Sequence, residues 1–471
     1  MRNIGRTVQS SIYRNGVYGH RPVVPTSPDA LADAARRRMT RAAWSYVAGG
    51  AGAQRTVTAN REAFGRYPIV PRQMVDVGER SLATTLLGRD LPAPLLFAPV
   101  GALELAVQHQ LARGGRGAAP RNAEPVLARA ARDLGLPVVI SSQASTPMED
   151  TAATLGGSPR WFQLYWSSDD ALVESFITRA ETSGCEALVV TLDTHVLGWR
   201  TMDLDLGYLP FARAEGIAQY LSDPAFQQLV EARARGAAPS APGTSARPTV
   251  AAVHSLLSMA AHHPGPTLRN LTQPYARAAV ETFLDVFSRS TLTWADLAWL
   301  RERTTLPILV KGIQHPDDAR AALDHGADGI IVSNHGGRQV DNAVASLDTL
   351  GPVVDAVRAH PGAGPRTGAT VPVLFDSGIR TGADVFTALA LGADAVLLGR
   401  PWVYGLALAG ADGVRAVTEH VLAELDLTMA LAGVAETGQI GRHNLAVGGW
   451  SVWDRDRPST HDSRDAGRLR P

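Results

Sequence analysis

Short apolar segments recur along the chain, and most are followed by an Ala-rich stretch whose apolar residues have helical spacing. The apolar segments are continuous rather than alternating, as expected of strands that are buried on both faces. They span residues 94–101, 137–142, 160–165, 187–193, 307–313, 329–335, 372–378 and 395–400. The helical stretches include residues 123–134, 169–182, 316–325 and 381–391. Strands that alternate with helices predict a parallel sheet covered by helices.

The number of strands favours a closed sheet. Eight strands separated by helices are typical of a (β/α)8 TIM barrel. An open doubly wound sheet is the alternative, but the first strand lacks the Gly-x-Gly-x-x-Gly turn of dinucleotide-binding sheets. We therefore predict an α/β barrel over residues 91–440.

Three segments fall outside the repeat. Residues 1–90 predict an N-terminal cap with a helical stretch at 28–48. Residues 207–290 separate the fourth and fifth strands, and we interpret this long insertion as a lid. Within it, residues 232–249 are rich in Pro, Ala, Gly and Ser, a composition typical of mobile segments. Residues 441–471 predict a polar C-terminal tail of low order.

Composition excludes several classes of protein. The 471 residues include 45 basic and 45 acidic side chains, a balance that argues against general nucleic-acid binding. Cys185 is the only cysteine, so neither a disulfide framework nor a Cys-rich metal site is expected. No pair of histidines at metal-ligand spacing accompanies a carboxylate, so we predict no metal. Without a signal-like start or a long apolar run, we expect a cytoplasmic protein that does not interact with membranes.

Lysine usage singles out one position. Of the 45 basic residues only Lys311 is a lysine, and it ends the apolar segment LPILVKG, where a cation is not expected. An ammonium is a compact point charge, whereas a guanidinium is a wide planar fork, and a tight site distinguishes them. Lys311 could be a chance survivor on the surface, but its place at a strand end favours a functional role.

Nearly every predicted strand ends in residues that form hydrogen bonds or carry charge. One such residue would be explained as a turn former, but the strand ends of a barrel converge on one face, where barrel enzymes have their sites. These ends are Pro99-Val100-Gly101, Ser141-Ser142-Gln143, Gln163-Leu164-Tyr165, Thr191-Leu192-Asp193, Lys311, Ser333-Asn334-His335, Asp376-Ser377-Gly378 and Gly399-Arg400.

The ends of the last two strands predict an anion site. DSGIRTG at 376–382 and LGRP at 398–401 place small residues and two arginines at the corner where barrels commonly bind phosphate. Backbone N–H groups at a helix N-terminus attract an anion, and Arg380 and Arg400 could clamp it.

The segment SNHGGRQ at 333–339 predicts proton transfer beside a bound carboxylate. His335 lies at a strand end, and Arg338 follows it in a Gly-rich loop. Histidine suits proton transfer near neutral pH, and arginine suits a carboxylate. Asp193, from the fourth strand, could orient His335 and stabilise its charge.

These motifs together resemble those of the FMN-dependent α-hydroxy acid oxidase and dehydrogenase family, over roughly residues 40–435. SNHGGRQ resembles the family's active-site signature, and DSGIRTGADVFTALALGADAVLLGRP resembles its flavin phosphate segment. SYVAGGAG at 45–52, with NREAF at 60–64, resembles its N-terminal cap. Within the family, SYVAGG, FAPVG, TLDTHVLGWR, the YLPF and GIAQYLSDPAF stretch and KGIQHPDDAR are most similar to the lactate 2-monooxygenase branch.

The resemblance implies an FMN cofactor and roles for matching residues. His335 is implied as the base that acts on the substrate, with Asp193 as its partner. Lys311 is implied to stabilise negative charge at the flavin N1/O2 edge. Substrate contacts are implied for Arg338, Arg200, Tyr46, Tyr165 and Gln143. Flavin contacts are implied for Pro99, Val100, Gly101, Ser141, Gln163, Thr191 and Ser333, and ribityl or phosphate contacts for Asp376, Gly378, Arg380, Gly399 and Arg400.

Some positions depart from the family pattern. Gln143 lies where many members carry a bulky apolar or aromatic residue, which argues against lactate itself as substrate. Residues 109–122 and 207–290 are longer than usual and lie near the predicted mouth. Gly101, small beside the flavin, favours access by O2.

The resemblance implies that an L-2-hydroxy acid is oxidised with O2 as the electron acceptor. A monooxygenase would decarboxylate the 2-oxo acid oxidatively, whereas an oxidase would release it with H2O2. The alternatives are a dehydrogenase that reduces a quinone or a cytochrome, and a barrel that binds a phosphate ligand without redox chemistry. The family further implies a homo-oligomer, a tetramer or larger.

Overall fold

The strands close into a parallel barrel, as predicted. The structure is a computed structural model that describes residues 3–108, 123–236, 249–361 and 370–446. A hairpin of β1 (Thr84–Leu86) and β2 (Arg89–Leu91) precedes the barrel. The barrel strands follow in chain order: β3 (Leu95–Phe97), β4 (Val138–Ser141), β5 (Arg160–Leu164), β6 (Leu188–Thr191), β7 (Ile308–Ile313), β8 (Gly329–Val332), β9 (Val373–Phe375) and β10 (Ala395–Leu398), which pairs with β3.

Both faces of these strands are buried, which explains their continuous apolar sequence. Alternate residues such as Leu96, Val139 and Leu309 pack inside the barrel, and Leu86 and Leu91 of the hairpin join that inner cluster. The residues between them along the strands face outward and pack against the helices. The barrel strands therefore lack the polar face of a sheet that is open to water.

Helices surround the barrel and build the additional segments. They are α1 (Ile4–Val17), α2 (Pro28–Arg38), α3 (Arg41–Ala48), α4 (Arg55–Glu62), α5 (Ala123–Leu134), α6 (Met148–Leu155), α7 (Asp170–Thr182), α8 (Thr201–Asp205), α9 (Ala218–Leu221), α10 (Pro224–Gly236), α11 (Val250–His262), α12 (Thr267–Thr272), α13 (Tyr275–Val286), α14 (Trp294–Arg301), α15 (Pro316–Asp324), α16 (Ser346–Arg358), α17 (Gly382–Ala390) and α18 (Arg400–Leu431). In α18 the chain kinks at Ala409 and Gly410. None of the helices in these ranges is long and apolar enough to cross a membrane.

The cap differs from the single helical stretch predicted for residues 28–48. The chain forms two helices, α2 and α3, with Met39 and Thr40 in extended conformation between them. The Thr40 hydroxyl accepts a hydrogen bond from Ala43 N at 3.1 Å, which caps α3. Because Thr40 caps the start of a new helix, the predicted single helix over residues 28–48 is divided in two.

In its described part, the insertion at 207–290 carries α9 to α13. Its return to the barrel is fixed by the carbonyl of Val286, which accepts hydrogen bonds from the hydroxyl of Ser167 at 2.7 Å and from Ser168 N at 3.1 Å. Both serines follow β5, so the end of the insertion is joined directly to the barrel rim.

Parts of the predicted extra segments lie outside the described residues. They are residues 109–122, residues 237–248 of the Pro- and Ala-rich stretch, and residues 447–471 of the predicted tail. The start of that tail is described, and Leu445 pairs there with Ile69 of the N-terminal segment.

Candidate active site

The C-terminal ends of the barrel strands surround one cavity of about 1080 Å³, its open mouth included. All but three of the predicted site residues line it. The predicted residues that line it are Tyr46, Pro99, Val100, Gly101, Ser141, Gln143, Gln163, Tyr165, Arg200, Lys311, His335, Arg338, Asp376, Gly378, Arg380, Gly399 and Arg400.

The other three predicted residues lie behind the wall and contact residues that line it. Asp193 contacts His335, and Ser333 accepts a hydrogen bond from Lys311. The hydroxyl of Thr191 accepts from Gln163 Nε2 at 3.1 Å. The structure thus brings all the predicted residues to one end of the barrel, where most line the cavity and three lie directly behind its wall.

His335 and Asp193 form the central pair. Nδ1 of His335 lies 2.7 Å from Oδ1 of Asp193, and the Thr194 hydroxyl donates to the same oxygen at 3.0 Å. Since a carboxylate accepts, Nδ1 carries the proton and Nε2 is the basic nitrogen. Nε2 lies 3.4 Å from the hydroxyl of Tyr165. His335 has a φ of 58°, a left-handed conformation that is costly for a residue with a side chain and is typical of functional sites.

Burial favours the neutral form of His335. Burial lowers its pKa below 6.5, and the nearby Lys311 and Arg200 act in the same direction, whereas Asp193 opposes them. Burial would raise the pKa of Asp193, but His335 and Lys311 together lower it to about 2. A neutral imidazole held by an ionised carboxylate is suited to accept a proton.

The single lysine is buried between two carboxylates. Lys311 Nζ lies 3.0 Å from Asp376 and 3.9 Å from Asp193, and it donates to the Ser333 hydroxyl at 2.8 Å. Burial alone would lower its pKa, but Asp376 and Asp193 raise it above 10.5. Lys311 therefore presents a fixed positive charge to the cavity.

Two arginines form a cationic end of the cavity. Arg200 donates to the Gln339 side chain at 2.9 Å and to the Arg338 carbonyl at 3.3 Å. Burial and the neighbouring Arg338 lower the pKa of Arg200 to about 10. In the described parts of the chain, neither guanidinium forms an ion pair with a carboxylate. Two close cations without a counter-ion make this end favourable for an anion.

Two tyrosines lie beside these cations. Burial raises the pKa of Tyr46 and of Tyr165, so both hydroxyls stay protonated and can donate hydrogen bonds near neutral pH. The guanidinium of Arg338 lies 4.9 Å from the centre of the Tyr46 ring. An anion at this end would therefore meet hydroxyl donors as well as guanidinium groups.

A second cationic region lies at the ends of β9 and β10. Burial lowers the pKa of Arg380, and burial together with the nearby Arg380 and Arg338 lowers that of Arg400 to about 9. Helix α17 satisfies its own first turn with a capping box of Thr381 and Asp384. Helix α18, which begins after Gly399, has no side-chain cap, so its first N–H groups remain available to an anion.

Arg400 and Arg338 also fasten the cap to the barrel, which the sequence did not indicate. Arg400 donates to the carbonyls of Val47 at 3.0 Å, Gly49 at 2.9 Å and Gly336 at 2.9 Å. Arg338 donates to the carbonyls of Tyr46 and Gly49. Cations at the C-terminus of α3 satisfy its last carbonyls and complement its dipole. The two arginines thereby hold Tyr46 over the cavity.

Several residues of the site were missed by sequence analysis. Thr194 contacts the central pair, and its position directly after Asp193 was a usable signal. Leu197, Phe211 and Phe287 line the cavity from the insertion and its preceding loop, where no strand pattern marks them. The described residues contain no cluster of three His, Cys, Asp or Glu side chains suited to a metal ion.

Comparisons with known proteins identify the family of this chain. The model of the family described as FMN-dependent dehydrogenase matches residues 35–447. An FMN-dependent alpha-hydroxy acid dehydrogenase of Penicillium citrinum, qulF, is 38% identical, with 92% of this chain and 94% of that protein covered. An L-lactate oxidase of Lysinibacillus sphaericus is 37% identical, with 83% and 84% covered. A solved structure of mandelate oxidase, 33% identical, aligns with a TM-score of 0.66 over 90% of this chain and 98% of that one. The chain therefore belongs to the FMN-dependent dehydrogenase family, with FMN as its cofactor.

Proposed function

We propose that this protein oxidises an L-2-hydroxy acid with O2 as the electron acceptor. As an oxidase it would convert the hydroxy acid and O2 into the 2-oxo acid and H2O2. As a monooxygenase of the lactate 2-monooxygenase kind it would yield the carboxylic acid one carbon shorter, CO2 and water. The observation that carries the proposal is that His335, held by Asp193 at 2.7 Å, lines one cavity together with two guanidinium groups that have no carboxylate partner among the described residues.

The substrate carboxylate would bind at the cationic end. Arg200 and Arg338 provide the charge, and Tyr46 donates a hydrogen bond from its protonated hydroxyl. Arginine binds carboxylates through two parallel N–H groups, which fixes orientation as well as position. Binding there would direct the 2-hydroxyl group towards Tyr165 and His335, which lie 3.4 Å apart.

His335 Nε2 would accept a proton from the bound substrate. Asp193 keeps the other nitrogen protonated, and it stabilises the positive charge that appears on the ring when the proton arrives. Asp193 does not line the cavity, so we assign it as a positioning residue. Lys311 adds a fixed positive charge close to this pair.

The residues at the cavity fit the FMN cofactor. The Ser141 and Gln163 side chains and Lys311 offer polar atoms to a heterocycle, with Pro99, Val100 and Gly101 along the adjacent strand end. The uncapped start of α18, Arg380 and Arg400 suit its phosphate. When bound, FMN accepts the two electrons lost by the substrate and passes them to the acceptor.

The choice of O2 as acceptor is supported by Gly101 and by the relatives that are named as oxidases. Gly101 leaves the cavity wall without a side chain between Gln143 and Tyr46, which favours entry of a small molecule. A relative named as a dehydrogenase also matches most of the chain, and reaction with O2 against reaction with a quinone distinguishes the two kinds of enzyme. A homo-oligomer and a cytoplasmic location stay predictions from the sequence.

The test is to mix the purified holoprotein anaerobically with a panel of L-2-hydroxy acids and to follow the flavin absorbance. We expect bleaching by at least one acid, and on admitting O2 either H2O2 or CO2 in stoichiometric amount. Bleaching followed by slow reaction with O2 but fast reaction with a quinone would overturn the oxidase and monooxygenase proposal in favour of a dehydrogenase. No bleaching by any acid of the panel would overturn hydroxy acid oxidation.

A further inference from the structure

Gln143 is a largely buried residue whose side-chain amide lines the cavity and forms no hydrogen bond with any described residue. The residue is only 6% exposed and lines the cavity. Its backbone is fixed, because its N–H donates to the Ser141 hydroxyl at 3.1 Å and its carbonyl accepts from Ala102 N at 2.8 Å. Because no group of the described residues occupies the amide, its oxygen and nitrogen are available to a ligand in the cavity.

An apolar wall faces the cavity near this amide. Phe211 and Phe287 both line it, and both pack against the fully buried Phe283, with ring centres 5.3 Å away in each case. Phe211 also meets the Tyr46 ring edge-on at 6.1 Å. Tyr46 connects the wall with Gln143, since a Cβ at Gly101 would lie 3.2 Å from the Tyr46 hydroxyl and 3.3 Å from Gln143 Oε1.

This wall is rigid rather than loosely placed. Phe283 lies at the centre of an aromatic cluster, with the Tyr220 ring 4.8 Å from it at nearly a right angle. The residue before Phe287 is joined to the barrel rim through its carbonyl, as described above. Aromatic side chains held in this way select the shape of a ligand at little entropic cost.

The wall carries no charge. The cations of the cavity lie at the carboxylate end, at the ends of β9 and β10, and at Lys311 between its two carboxylates, whereas Leu197, Phe211, Phe287 and Gln143 are neutral. A charged group moved from water to such a surface would lose its hydration without a counter-ion. The substrate side chain that fits here is therefore neutral.

We propose that the substrate is a 2-hydroxy acid with a bulky neutral side chain, aryl or arylalkyl, that carries a hydrogen-bonding group such as a hydroxyl. Phe211 and Phe287 contact the apolar part, and the Gln143 amide bonds the polar group. The proposal rests on the proposed function and narrows its substrate class. A methyl side chain, as in lactate, leaves the amide unpaired and the aromatic wall without contact.

The first experiment compares rates of anaerobic flavin reduction for matched acids. Mandelate is paired with 4-hydroxymandelate, 3-phenyllactate with 3-(4-hydroxyphenyl)lactate, and lactate is the reference. We expect both aryl series to exceed lactate in kcat/KM, and the hydroxyaryl acid to exceed its parent by about tenfold in at least one pair, the effect of about 1.4 kcal/mol from one added hydrogen bond.

The second experiment uses two buried glutamines as a matched pair. Gln143→Met should abolish the hydroxyaryl preference and leave Tm unchanged or raised, because it removes an amide without partners. Gln219→Met should lower Tm and keep the preference, because the Gln219 amide accepts from Met148 N at 2.9 Å and donates to the Thr146 carbonyl at 3.3 Å. The Kd of 4-hydroxyphenylacetate and of phenylacetate, which lack the 2-hydroxyl group, gives the same comparison without turnover.

The outcomes separate the two proposals. If lactate reduces the flavin as fast as every aryl acid and Gln143→Met changes no ratio, the substrate class is wrong while hydroxy acid oxidation stands. If the inert hydroxyaryl analogue binds no tighter than its parent, the role of Gln143 is wrong. If no acid bleaches the flavin, the proposed function itself fails.

Discussion

Asp193 Oδ1 lies 2.7 Å from His335 Nδ1, and this contact fixes which nitrogen of the ring can accept a proton. The acceptor is an ionised carboxylate, so Nδ1 keeps its proton and Nε2 is free towards the cavity. The two residues come from β6 and β8, and the strand between them contributes Lys311, 3.9 Å from Asp193. Barrel closure thus brings a base, its partner and a cation together from three neighbouring strands.

Removal of the base is the most direct test of this geometry. His335→Ala should lower the rate of flavin reduction by about 10²- to 10⁴-fold, which is the usual contribution of a positioned base. The FMN content should stay near one per chain, since the imidazole is not among the groups assigned to the phosphate. Stopped-flow reduction and the absorbance ratio of the purified variant measure both. A variant that is reduced at the wild-type rate would exclude His335 as the base.

Asp193 should set the pH range of the reaction. Burial lowers the pKa of His335 below 6.5, and the carboxylate partly opposes that shift. The unprotonated base is active, so kcat/KM should be level above pH 6.5 and fall only at lower pH. Asp193→Asn should move that fall to still lower pH and reduce the plateau, because the weaker base lacks its partner. Thr194→Val keeps the carboxylate and is the control; an equal shift in both variants would contradict this role.

Loss of Lys311 should destabilise the fold as well as the reaction. Lys311→Met would leave Asp376 and Asp193 buried without the cation that lies 3.0 Å and 3.9 Å from them. Breaking a buried ion pair in this way costs about 3–5 kcal/mol. Chemical unfolding should show this loss, and FMN retention should fall. Lys311→Arg should also be impaired, because a planar fork does not fit a site built for a compact ammonium.

Arg415→Met serves as the control for Lys311, because the half-exposed Arg415 forms surface ion pairs with Asp133 and Asp412, and the expected change is within about 0.5 kcal/mol. Wild-type stability and reduction rates in both Lys311 variants would mean that Lys311 has no special role in stability or in the reaction.

Gly378 should tolerate no side chain. Its φ is +103°, and a Cβ there would lie 2.3 Å from the Asn60 carbonyl oxygen, in the cap. Gly378→Ala should therefore push the cap away from β9, lower stability by more than about 1 kcal/mol and weaken FMN binding. Gly157, whose Cβ would meet no atom within 4 Å, gives Gly157→Ala as the control. Equal stability of the two variants would contradict the close contact between cap and barrel.

Glu124 should make stability depend on pH. Burial raises its pKa from 4.5 to about 7, so the folded state favours the neutral carboxyl group. A raised pKa contributes stability that is complete below pH 4.5 and is lost as pH rises through 7, up to about 3 kcal/mol. Glu124→Gln should remove this decline in unfolding experiments between pH 4.5 and 7.5.

Glu149→Gln is the opposite control, because Arg179 lowers the pKa of Glu149 against the effect of burial. Its pairing stabilises the fold above pH 4.5 and is lost on acidification. A Glu124 variant with the same pH dependence as the wild type would show that this carboxyl group is not held neutral.

The sequence by itself determined the barrel and most of the site. Strands buried on both faces must be apolar throughout, so eight continuous segments identified β3 to β10, and their ends named the polar residues that line the cavity. Sequence analysis could identify Lys311, His335, Arg380 and Arg400 because charged or titratable side chains directly after apolar strands are unusual.

Only the tertiary structure decided the remaining features. Phe211 and Phe287 reach the cavity because the insertion packs around Phe283, an arrangement that depends on long-range contacts and leaves no local pattern. Arg400 also holds the cap on the barrel, because the carbonyls of Val47 and Gly49, more than 350 residues away along the chain, approach it only after folding. The missing partner of Gln143 is likewise a property of its surroundings. Hydrogen-bond satisfaction depends on which groups become neighbours, and that is decided by packing rather than by the sequence around one residue.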